Sequence, residues 1–92
     1  MSRRKLDYTK DFLKELSGFP AKHFKQVVTK VLSLTQDALP PDSKQLQGYQ
    51  GLYRIDSGEY RVIYRLRDDA VEILIVGKRN DDEVYRLLAR KM

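Results

Sequence analysis

Cysteine is absent from this 92-residue chain, and His23 is its one histidine. The first absence excludes disulfide frameworks, thiolate metal sites and thiol nucleophiles. The second argues against a histidine metal cluster and against a Ser-His-Asp triad with a histidine to spare. Long apolar runs are also missing. The longest, Ile73-Leu74-Ile75-Val76, falls far short of the ~20 residues that a membrane helix requires. The basic start, Met1-Ser2-Arg3-Arg4-Lys5, leads into no apolar segment of the kind a secretory signal carries. No membrane partner is expected, and a soluble cytoplasmic protein fits best. There is no repeat, low-complexity tract or linker, so residues 1–92 are read as a single domain.

What is present is a mixture able to build a core. Hydrophobic residues make up 41% of the chain, including six Tyr and three Phe, enough to keep a chain with 34% charged residues from disorder. Lys and Arg number 18 against 13 Asp and Glu, a formal charge of +5 that favours an anionic partner, whether nucleic acid or an acidic protein.

The proline pair in Ala38-Leu39-Pro40-Pro41-Asp42-Ser43 separates a helical half from a strand-rich half. Before it, Tyr8, Phe12, Leu13 and Leu16 fall at helical spacing behind Thr9 as N-cap, and Gly18 and Pro20 punctuate the end. A second helix is expected from about Pro20, with Phe24, Val27, Val28, Val31, Leu32 and Leu34 on its apolar face. After the prolines, Leu52–Asp56, Tyr60–Arg67 and Val71–Gly77 are strand-like, joined by turns at Ser57-Gly58 and Asp68-Asp69. Connections this short make antiparallel neighbours. Arg4–Tyr8 is read as a further strand, and Asn80 with Glu83 as a capping box opening a helix through Val84, Leu87 and Leu88. The acidic run Asp81-Asp82-Glu83 complements that helix's dipole better than it makes a metal site. The order β-α-α-β-β-β-α describes an α+β domain: a mostly antiparallel, twisted sheet, two N-terminal helices packed on one face and a short C-terminal helix.

Cations gather on the strands. Arg61, Arg65 and Arg67 share a parity, Arg54 precedes them on the neighbouring strand, and Lys78 and Arg79 end the next. A solvated polar face explains any one of these arginines. Mutual repulsion among five or six is tolerated more readily where an anion binds. Tyr85, on the first turn of the last helix, reads first as a core aromatic packing under the sheet. His23 is placed on the surface of the second helix and given no role.

Four stretches then carry a resemblance: Leu52-Tyr53-Arg54-Ile55, Gly58-Glu59-Tyr60-Arg61-Val62-Ile63-Tyr64, Val76-Gly77-Lys78-Arg79 and Glu83-Val84-Tyr85. Together with Lys44-Gln45-Leu46-Gln47-Gly48 upstream, they resemble the RelE-type toxins of bacterial toxin–antitoxin modules. The resemblance implies a single toxin domain over 1–92, a metal-independent and cofactor-free endoribonuclease that cuts mRNA on the ribosome, and a cognate acidic antitoxin. It implies catalytic roles for Arg61, Arg79 and Tyr85 and sets Arg54 at one of the family's basic strand positions; Arg54 with Arg65 and Lys78 of the cationic strands is expected to bind RNA. The pattern departs at Asp56, where Escherichia-type members carry a basic residue, so proton transfer would fall more heavily on Tyr85. Metal-free cleavage of RNA needs the 2′-hydroxyl deprotonated, the phosphorane's charge stabilised and the 5′ oxygen released. Arginine forks suit phosphate oxygens. Two other classes stay open: a toxin of the same fold acting on a protein such as DNA gyrase, as the ParE branch does, and a non-catalytic nucleic-acid-binding module.

Overall fold

In a computed structural model, residues 3–80 and 83–91 are described. They form β1 (Lys5–Tyr8), α1 (Lys10–Ser17), α2 (Ala21–Ser33), β2 (Lys44–Gln45), β3 (Leu52–Ser57), β4 (Tyr60–Leu66), β5 (Ala70–Lys78) and α3 (Glu83–Lys91). The sheet runs β1-β5-β4-β3-β2. All its neighbours are antiparallel except β1 and β5, which are parallel; α1 and α2 carry the chain from β1 at one edge to β2 at the other. The α+β class expected from the sequence holds. Two details are new. Lys44–Gln45 adds a short edge strand, and α3 packs on the face of the sheet opposite α1 and α2.

That arrangement divides the core in two. Phe12, Leu16, Val27, Val31 and Leu34 from the N-terminal half pack on Ile55, Tyr60, Val62, Tyr64, Val71, Ile73 and Val76. On the far face, Val84 and Leu88 of α3 pack on Leu52, Ile63, Leu74 and Ile75. The lone apolar Ile63 among the odd-numbered arginines is therefore the seat of α3. The run Ile73-Leu74-Ile75-Val76 is buried throughout because a core covers each face of β5, and the strand bulges within it: Ile63 pairs with Ile75 and Tyr64 with Ile73, leaving Leu74 unopposed. The extra residue sends both Leu74 and Ile75 to the α3 core. Thr9 serves this bulge and α1 together. Its hydroxyl donates to the Leu74 carbonyl at 2.6 Å and accepts from the Phe12 amide at 3.1 Å as the helix N-cap.

Several expectations need correction. Tyr8 ends β1 instead of joining the apolar face of α1, and with Leu13 and Leu32 it lines an exposed apolar groove between α1 and α2. Phe24 is exposed as well, since the sheet covers only the Val27–Val31 side of α2. His23 is half-buried, with its ring edge-on to Tyr60 at 5.3 Å and its Nε2 3.9 Å from Glu59. The acidic pair Asp81-Asp82 lies outside the described residues.

Candidate functional site

The β3–β4 hairpin sets the geometry. Ser57 pairs with Tyr60, so the two-residue turn is Gly58-Glu59, not Ser57-Gly58. Gly58 takes a positive φ of 60°, as the first position of a tight primed turn demands, and a side chain there would also strike Gln26. A turn at Ser57-Gly58 would have set Arg54 opposite Arg61. The real register sets Asp56 opposite Arg61 and moves Arg54 down to face Ile63.

Arg61 also pairs with Gly77 on β5, which makes a cross-strand row of Asp56, Arg61 and Gly77. Gly77 leaves open the space that the first turn of α3 fills. A Cβ there would lie 3.2 Å from Val84 Cγ1 and 3.3 Å from Glu83 Cβ. With α3 so close, Tyr85 packs its ring against the second core while its hydroxyl reaches the row. The core reading of Tyr85 therefore holds for its ring, while its hydroxyl stands beside Arg61.

The row is a hydrogen-bonded cluster. Arg61 Nε donates to Asp56 Oδ1 at 2.8 Å and Arg61 Nη2 to Asp56 Oδ2 at 3.4 Å. Arg61 Nη1 donates to the Tyr85 hydroxyl at 3.1 Å, and the guanidinium lies 5.9 Å from the Tyr85 ring centre. Arg79 Nη1 donates to Asp56 Oδ2 at 3.4 Å. The backbone amide of Arg79 is fixed by a 3.1 Å bond to the Glu59 carbonyl. Arg61 is largely buried, its side chain 16% exposed, whereas that of Arg79 is 48% exposed. The Arg61 guanidinium, and beyond it Arg79, hold the Asp56 carboxyl below the ordinary carboxylate range despite opposing desolvation. Asp56 in turn pushes Arg61 up. These arginines therefore carry their own counter-ion, and the trio has a net charge of about +1.

The other cations sit elsewhere. Arg65 lies four residues along β4 from Arg61, about 13 Å at strand rise, and is held by Glu72 directly across on β5. Arg67 lies beyond the end of β4 and shares the same carboxylate at 3.5 Å. The expected single cluster is thus two clusters, one at each end of the strands, each built round a carboxylate. Lys78, one residue from Gly77, falls on the opposite face of β5. Arg54 stays on the face of Asp56 and Arg61, opposite Lys44 of β2. Neither Arg54 nor Lys44 makes an ion pair among the described residues, so like charges stand directly across from each other.

Sequence reasoning passed over Asp56, Gly77 and Lys44 as site residues. A turn centred on Gly58-Glu59 is the signal that would have found Asp56. Among the described residues no cluster of three metal-binding side chains occurs and no helix is long and apolar enough to cross a membrane.

A search of curated proteins by sequence found no significant match. Among solved structures, RelE in the RelE–RelB complex from Pyrococcus horikoshii superposes with a TM-score of 0.74 at 27% identity, over 84% of this chain and 96% of that one. A RelBE toxin–antitoxin complex from Mycobacterium tuberculosis gives a TM-score of 0.74 at 25% identity, over 86% and 94%. A RelE variant from Escherichia coli in the free state shares the fold, with a TM-score of 0.79 at 23% identity over 98% of each chain. Residues 3–83 match the family model described as the ParE toxin of type II toxin–antitoxin systems. The chain therefore belongs to the ParE toxin family and is a type II toxin with the RelE/ParE fold.

Proposed function

We propose that this toxin inhibits translation as a metal-independent endoribonuclease that cleaves mRNA held on the ribosome. The observation that carries this reading is the convergence of the Tyr85 hydroxyl, Arg61 and the half-exposed Arg79 within one hydrogen-bonded chain. Tyr85 acts in its phenolate form, which takes the 2′-hydroxyl proton and returns to the phenol, with its oxygen oriented by Arg61 Nη1. Arg61 offers a guanidinium to the charge that grows on the phosphorane, a contribution that exceeds its value in water because the group is largely buried. Arg79, the more exposed of the two arginines, supports the departing 5′ oxygen. Arg54 and Lys44, cations without an acid, extend the RNA path along the same face. With no histidine at the site, the chain leans on the ribosome to orient its substrate, an entropic contribution.

We also propose a cognate acidic antitoxin as partner. Two of the structures above, from Pyrococcus horikoshii and Mycobacterium tuberculosis, are toxin–antitoxin complexes, and this chain brings a charge of +5 and the apolar groove lined by Tyr8, Leu13 and Leu32. A second reading, a toxin acting on a protein target such as DNA gyrase, is favoured by one observation: Asp56 already neutralises part of the cationic site. Primer extension on mRNA from ribosomes treated with the purified chain, run beside a gyrase supercoiling assay, separates the two. Discrete cleavage ends that vanish in Arg79→Ala support the nuclease. Intact message with inhibited supercoiling overturns it.

A further inference from the structure

Asp56 does more than depart from a family pattern. Its two carboxylate oxygens engage Arg61 through Nε and Nη2 at 2.8 and 3.4 Å, and one of them also engages Arg79 at 3.4 Å. A phosphodiester presents a guanidinium fork with the same pair of acceptor oxygens. Nη1 is bonded to Tyr85 as well, which leaves one N–H on each Nη but no free N–H on the Nε edge. The Arg61 side chain is only 16% exposed, so an incoming anion has no second approach to its Nε edge. Binding of a phosphate through the Nε and Nη2 fork of Arg61, with Arg79 on the same anion, therefore requires the carboxylate to leave.

Two further facts keep the seat filled at rest. Asp56 and Arg61 are direct cross-strand partners one pair from a two-residue turn, so the strand register holds the carboxylate beside the guanidinium. Asp56 is also ionised across the physiological range, since its guanidinium partners hold its carboxyl below the usual value.

We propose that Asp56 is a tethered counter-ion occupying the phosphate seat of Arg61 and Arg79, so that an RNA backbone engages this pair by exchange with the carboxylate. The inference rests on the nuclease reading for the identity of the anion. It makes Asp56 a specificity-determining residue. Free RNA, which competes with a tethered anion, binds weakly, while RNA presented at high local concentration by a larger assembly displaces it.

The test uses a fluorescent 2′-O-methyl oligoribonucleotide, which binds but cannot be cut, titrated into the full chain at several salt concentrations. Asp56→Asn should bind it about tenfold more tightly than the wild type, with a salt slope steeper by about 0.7, as one more net contact to a single strand requires. Asp69→Asn makes the same change in net charge at the far turn beside Lys5 and should leave the affinity within about twofold. Equal gains in both variants, no gain in Asp56→Asn, or failure of Asp56→Asn to fold overturns the proposal. A second measurement needs no variant. The Arg61 Nε–H resonance of the wild-type chain should shift on addition of the oligonucleotide, and an unchanged resonance at saturation overturns exchange. The probe is uncuttable, so these readings are independent of cleavage. If Asp56→Asn binds more tightly but neither chain cuts ribosomal mRNA, the nuclease reading fails and the exchange stands.

Discussion

Arg61→Ala and Arg79→Ala should differ sharply in stability, although sequence alone sets both on a partly exposed face where loss of either leaves the fold intact. Arg61 donates two hydrogen bonds to the Asp56 carboxylate and one to Tyr85, and its side chain is 16% exposed. Hydrogen bonds to charged groups contribute about 1.5–3 kcal/mol each, and an abandoned partner adds its own desolvation cost. That sum is discounted because the Asp56 side chain is 35% exposed and keeps Arg79. A net cost of about 2 kcal/mol remains, which lowers Tm by about 8–16 °C in a domain of this size. Arg79 makes one 3.4 Å contact from a side chain 48% exposed. Its removal should cost about 0.5 kcal/mol or less, a fall of about 2–4 °C. Circular-dichroism melts of both variants at neutral pH, with Asp56→Ala/Arg61→Ala alongside, measure this. The double variant should lose less than the sum of its singles, because it strands no charge. Equal melting points for the two arginine variants would falsify the reasoning. Loss of toxicity in Arg79→Ala can then be assigned to function, whereas in Arg61→Ala it is confounded by stability.

Three other outcomes are expected. Tyr85→Phe keeps the ring in the α3 core but leaves Arg61 Nη1 without its acceptor, so stability falls by no more than about 1 kcal/mol; message cleavage in the primer-extension assay should fall about a hundredfold or more, and wild-type rates would return Tyr85 to packing alone. Because the folded Asp56 carboxyl lies below its ordinary value of 3.8, its stabilising contribution is present above that value and is lost as pH falls below it. Urea unfolding from pH 7 to pH 3 should therefore show a smaller acid loss in Asp56→Asn than in the wild type, and parallel profiles refute the pairing. Gly77→Ala forces a Cβ to within 3.2 Å of Val84 and should cost about 1–3 kcal/mol by lifting the first turn of α3. Hydrogen exchange should speed up in α3 while β4 stays protected, and an unchanged exchange pattern shows that the close approach is slack.

Local chemistry was legible in the chain. Thr9 caps α1 as its position suggests, the antiparallel hairpins follow from their short turns, and Tyr85 and Arg61 were recognisable from the stretches that carry the family pattern. These features depend on neighbours a few residues away or on motif spacing. The bulge at Leu74 was not legible, because four apolar residues in a row do not say which of two cores each will enter. Nor was the second core itself, since the amphipathic pattern of α3 reveals a buried face without saying which side of the sheet it covers.

What the sequence determines by itself is the α+β class, the cationic character and the identity of the arginines and tyrosine that carry the family resemblance. Their company was decided only by tertiary structure. Moving the hairpin turn by one residue exchanges Arg54 for Asp56 as the partner of Arg61, turning a patch of repelling cations into a partly neutralised cluster. The gap at Gly77 then admits α3 and brings Tyr85 to Arg61 across 24 residues of chain. Cross-strand register and helix placement are settled by the packing of side chains distant in sequence, and in a sheet one residue of register decides which charges meet.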